Sequence, residues 1–119
     1  MPEAAALKNS VPPITVELIG LIAAQSPFHA DIVRRLEATV LTGDVAKVRA
    51  EFCSLEMWGG SGSVADLSLD EPNAQRRSCE LLSRLNGEFR AAGFECARAD
   101  RWTDTFDQWL DQGVFDSDQ

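Results

Sequence analysis

Apolar residues recur along this chain at helical spacing, in blocks separated by proline, glycine and capping residues. Ile14, Leu18, Leu21 and Ile22 fall on one face, and the pattern stops at Ser26-Pro27, which predicts a first helix over about 14–25. Pro13 suits the first turn of that helix, whereas Val11-Pro12-Pro13 biases residues 1–13 toward an extended lead-in. A second helix, about 28–42, gathers Ile32, Val33, Leu36, Val40 and Leu41 on one side, with Arg34, Arg35 and Glu37 away from it. Gly43 is a natural C-terminal stop. Asp44 can then cap a third helix in which Val45, Val48, Phe52 and Leu55 align at i, i+3, i+7 and i+10. So short a connection makes these two helices a packed pair.

Residues 57–72 change character. Met57-Trp58-Gly59-Gly60-Ser61-Gly62-Ser63 is too rich in glycine for a helix, since each interior glycine costs about 1 kcal/mol relative to alanine. After this loop, Val64 to Leu69 alternates weakly and predicts a short extended segment ending at Asp70-Glu71-Pro72. A fourth helix, about 72–92, carries Leu81, Leu82, Leu85 and Phe89 on one face, and Gly93 closes it. In a last helix, about 100–112, Trp102, Phe106 and Trp109 stand at i, i+4 and i+7. Asp100, Asp104, Asp107 and Asp111 follow the same rhythm out of phase, nearly opposite the aromatics. The expected fold is therefore mainly α: a bundle of about five helices with a glycine-rich loop and one short extended segment. Residues 14–113 form a single domain, and 114–119 form an acidic tail.

Charge narrows the functional classes. Nineteen acids against 11 bases give a formal net charge of −8 in 119 residues, so nucleic-acid phosphates and anionic membranes are poor partners. The least polar stretch, Leu18 to Phe28, is too short to span a membrane, and the acidic N-terminus is unlike a secretory signal. Cys53, Cys79 and Cys96 lie 26 and 17 residues apart, which matches no zinc or redox spacing, and an odd count is awkward for a disulfide framework. They read as reduced core fillers in a cytoplasmic protein. His29, the sole histidine, sits at a helix start with no nucleophile signature around it and reads as an exposed or capping residue.

The glycine run superficially resembles a phosphate loop, but Ser63-Val64 stands where a Walker loop needs Lys and Ser or Thr. The structural expectation is a sharp turn, with Trp58 anchoring the loop on the core and Ser63 and Asp66 bonding neighbouring amides. No cofactor or metal is expected, although Asp104, Asp107 and Asp111 share a face that could hold magnesium.

Gly59, Gly60, Gly62, Ser63, Asp66 and Leu67 carry a resemblance to the GG-x-GS-x-x-DL segment of a family of small, functionally uncharacterised bacterial proteins. The likeness covers roughly residues 57–92, and Ala65 stands where that family usually has asparagine. Some such small acidic proteins act as immunity partners of secreted toxins. The resemblance implies a non-enzymatic protein-binding domain, and the acidic balance suits a basic toxin as partner. The expected partner-binding residues are Trp58, Gly59, Gly60, Gly62, Ser63 and Asp66 in the loop, with Asp104, Asp107 and Asp111 on the last helix. The competing readings are a subunit that self-associates through Trp102, Phe106 and Trp109, and an enzyme binding an anion and magnesium.

Overall fold

The structure is a computed structural model that describes residues 2–115. Among these residues the chain forms five helices of two turns or more and two single-turn helices, with no strand. In order they are α1 (Leu7–Ser10), α2 (Pro12–Ile22), α3 (Pro27–Thr42), α4 (Val45–Phe52), α5 (Leu55–Trp58), α6 (Pro72–Ala91) and α7 (Ala97–Asp111). None is long and apolar enough to cross a membrane.

The helix boundaries follow from capping. Ser26 accepts a hydrogen bond from the His29 amide at the start of α3, Asp44 from Lys47 at α4 and Ser54 from Met57 at α5. Glu71 accepts from both Asn73 and Ala74, with Pro72 opening α6. Each cap satisfies amides that have no partner within the helix. Gly43 ends α3 in the left-handed conformation, with φ of 74°.

Two expectations about local structure are corrected. The lead-in expected over 1–13 is not extended within the described residues, because Leu7–Ser10 is helical and runs almost directly into α2. Ala4, Leu7 and Val11, at i, i+3 and i+7, are all buried, and that burial outweighs the pre-proline bias on Val11, which adopts φ −80° and ψ −46°. Pro12 and Pro13 occupy the first turn, where a missing amide hydrogen removes no helical bond. The extended segment over 64–69 is likewise absent. Val64 and Ala65 are both buried, so alternation fails, and their amides donate to the carbonyls of Glu56 and Met57 across the loop.

The core is continuous from α1 to α7. At its centre Phe52 stacks on Phe89 with ring centroids 3.9 Å apart, and Trp58 and Phe94 meet this pair edge-on. Cys53 and Cys96 flank the cluster and are joined in a disulfide. This corrects the reading of three reduced cysteines, and with it falls the cysteine argument for a cytoplasmic location. Spacing along the chain did not reveal a pair brought together by folding α4 and the α6–α7 turn onto the same aromatic cluster. Cys79 alone is free, and burial pushes its thiol up to about 11.

Helix α7 starts three residues before the expected boundary, and this decides what it presents. At about 100° per residue it has three sides. Ala99, Thr103 and Phe106 are buried in the core. Asp100, Asp104, Asp107 and Asp111 lie toward or beyond α6, where Asp100 accepts from Asn86 Nδ2 at 2.9 Å and Asp107 from Ser83 Oγ at 2.7 Å. Arg98, Arg101, Trp102 and Thr105, at i, i+3, i+4 and i+7, form the third side and face the glycine loop. Phe115 packs partly against the core beside Trp109, and the rest of the expected acidic tail, 116–119, lies outside the described residues.

Candidate functional site

The glycine loop is built from its own side chains. Trp58 is 1% exposed and donates its indole Nε1–H to the Phe52 carbonyl at 2.8 Å, fixing the start of the loop on the core. Ser63 Oγ accepts from the Asp66 amide, and Asp66 Oδ2 accepts from the Gly62 amide, closing the turn. His29 reaches across from α3. Its Nε2 lies 2.9 Å from the Gly62 carbonyl and its Nδ1 lies 2.5 Å from Ser26 Oγ. A carbonyl can only accept, so in neutral His29 the proton sits on Nε2, and Nδ1 accepts from the serine hydroxyl. Thus His29 is a tether for the loop as well as a partner of the helix cap.

The glycines have different reasons. A Cβ on Gly59 would lie 2.5 Å from the Leu55 carbonyl oxygen and 2.8 Å from Leu55 Cα, so only glycine allows this approach. Gly60 and Gly62 have open space around them and are required by φ of 111° and 86°.

Between this loop and α7 lies a cleft of about 380 Å³, lined by Trp58, Gly59, Gly60, Arg98, Arg101, Trp102 and Thr105. Trp102 bridges its two walls by donating Nε1–H to the Trp58 carbonyl at 3.0 Å. Arg98 Nη1 donates to the Cys53 carbonyl at 3.2 Å, which ties this side of the cleft to the disulfide. Arg101 is exposed. Arg34, Arg35, Arg77 and Arg90 each meet a carboxylate, whereas among the described residues Arg98 and Arg101 meet none. In a chain of strongly negative net charge, the charged side chains that line this cleft are therefore both cationic.

Comparison finds no match to this chain among protein-family models, curated proteins or solved structures. Its functional reading rests on the geometry.

The structure separates the residues expected to bind a partner. Gly59 and Gly60 line the cleft, and Trp58 contributes what little surface it keeps. Ser63 is 2% exposed, so it is not available for contact, and its hydroxyl serves the turn. Gly62 and Asp66 are exposed at the loop tip. Asp104, Asp107 and Asp111 are exposed on a different side of α7, roughly 140° around the helix from the cleft. Asp107 is held by Ser83, so Asp104 and Asp111 are the freer carboxylates. Among the described residues no three carboxylate, cysteine or histidine groups converge as metal ligands would.

Sequence reasoning missed Arg98, Arg101 and Thr105 as a site. The signal was present as a spacing of three, four and seven, but starting the helix at 100 left Arg98 outside it and hid the face.

Proposed function

We propose that this chain is a protein-binding domain without catalytic activity of its own, of the immunity type, which neutralises a basic bacterial toxin by occupying its surface. The observation that carries the reading is the acidic side of α7, where Asp104 and Asp111 are exposed carboxylates. The cleft adds indole, guanidinium, amide and hydroxyl groups, which are groups that bind and orient. Its members include no histidine, carboxylate or thiol to move a proton near neutral pH. The GG-x-GS-x-x-DL resemblance and the net charge of −8 supply the partner's character. The acidic side of α7 would steer a basic partner, and the loop tip at Gly62 and Asp66 would complete the contact. The disulfide favours an oxidising compartment as the place of action.

Self-association through the aromatic stripe has less support. Phe106 is 1% exposed, and Trp102 and Trp109 are partly buried against the core with the Trp102 indole N–H bonded to the Trp58 carbonyl, so little of the stripe is left for a second copy.

The test is capture of the partner from the native host at low salt, followed by kinetics with Asp104→Lys/Asp111→Lys. Asp107 is left in place because it holds Ser83. Charge reversal should slow association about tenfold or more and flatten its salt dependence. An unchanged association rate would refute steering by this face.

A further inference from the structure

We propose that the cleft between the glycine loop and α7 is a binding site for a small organic carboxylate carried on a planar, apolar body. The inference goes beyond the protein-binding reading and does not depend on it. Three observations converge. The first is size: about 380 Å³ falls within the roughly 300–1,000 Å³ typical of small-ligand sites and admits a body of one or two rings.

The second is charge. In a protein with 19 acids and 11 bases, the cleft brings together two arginines and no carboxylate. Arg98 is held in place by the Cys53 carbonyl through one nitrogen of its guanidinium. Arg101, one turn further on, is exposed and meets no carboxylate among the described residues. A planar guanidinium fork matches a planar carboxylate in two parallel hydrogen bonds, and Thr105 adds a hydroxyl on the same helical face.

The third is the wall. Trp102 is half-buried and lines the cleft, its orientation fixed by the bond to Trp58, so it offers a flat apolar surface beside the cationic groups. Opposite it, Gly59 and Gly60 present backbone without side chains, and Gly59 has no room for one. A charged group at the arginines and a ring between the indole and the glycine backbone use both walls of the cleft.

The experiment is a titration of the intact, oxidised protein followed by the indole Nε1–H and arginine Nε–H resonances in NMR. The probe is 2-naphthoate, with 2-naphthamide as its uncharged counterpart and acetate as the charge without the body. The expected result is saturable movement of the Trp102 and Arg101 signals with 2-naphthoate, and affinity about tenfold weaker for 2-naphthamide and for acetate. Arg101→Gln changes an exposed side chain, so it should keep the wild-type melting temperature and lose about tenfold in affinity, with Arg101→Lys retaining part of it. Absence of saturation at millimolar probe, equal binding of acid and amide, or unchanged affinity in Arg101→Gln would each overturn the proposal. None of these outcomes bears on capture of a protein partner through the acidic face.

Discussion

Reducing the Cys53–Cys96 bond should destabilise the fold by an amount set by the loop it closes. The two cysteines are 43 residues apart in sequence. Restricting a loop of that length in the unfolded chain is worth about 4 kcal/mol at room temperature. That is a large share of the roughly 5–15 kcal/mol expected for a whole domain, so the reduced protein should remain folded with a narrow margin. For 119 residues the unfolding entropy at the midpoint is about 0.25 kcal/mol/K, which converts the loss into a fall in Tm of about 15 °C. The assay is denaturant and thermal unfolding with and without reductant, preceded by a thiol count in denaturant without reductant. The count should find one thiol, Cys79, of the three cysteines. Reduction should also raise the denaturant m-value, because releasing the cross-link lets the unfolded chain expose more surface. Three thiols in the unreduced protein would refute the pairing. A Tm indifferent to reductant would refute the loop-closure argument even if the bond were present.

Three further outcomes follow from particular contacts. Hydrogen bonding to Arg77 holds the Glu17 carboxyl below its ordinary 4.5, so the stabilising effect of this pair is complete above that pH and is lost as pH falls through the lowered folded value. Glu17→Gln should therefore lower Tm at neutral pH, and the gap to wild type should close on acidification; a gap independent of pH would count against the linkage. Burial lifts the Cys79 thiol to about 11, so iodoacetamide at pH 8 should leave it unmodified in the native protein and label it on unfolding, as mass spectrometry would show. Gly59→Ala forces a methyl against the Leu55 backbone and should cost about 1–3 kcal/mol in chemical denaturation, with the loop displaced. Gly87→Ala, on open helix surface, is the control and should be neutral or slightly stabilising.

What the sequence could disclose was set by the range of the interaction. The five main helices are local: their apolar faces, their caps at Asp44 and Ser26, and the stop at Gly43 are written within a few residues of one another, and the mainly α bundle follows from them. The anchoring of Trp58 and the Ser63 and Asp66 turn were legible for the same reason. The Cys53–Cys96 pair and the His29 contact to Gly62, 33 residues away, depend on how helices come together, and no local pattern encodes them. The cleft falls between these cases. Its α7 side is a local periodicity that a boundary error of three residues concealed, and its other side is a loop whose glycines signal close approach without saying to what. Once Ala97 starts the helix, Arg98, Arg101, Trp102 and Thr105 become one face, and the loop that packs over Trp102 decides that this face is concave. The acids that dominate the same helix then lie on another side, so a single element carries two surfaces of opposite charge. On these proposals a basic protein and a small carboxylate would occupy different sides of α7 without competing, and salt should weaken the first more than the second, because the protein contact is steered by several exposed carboxylates at once.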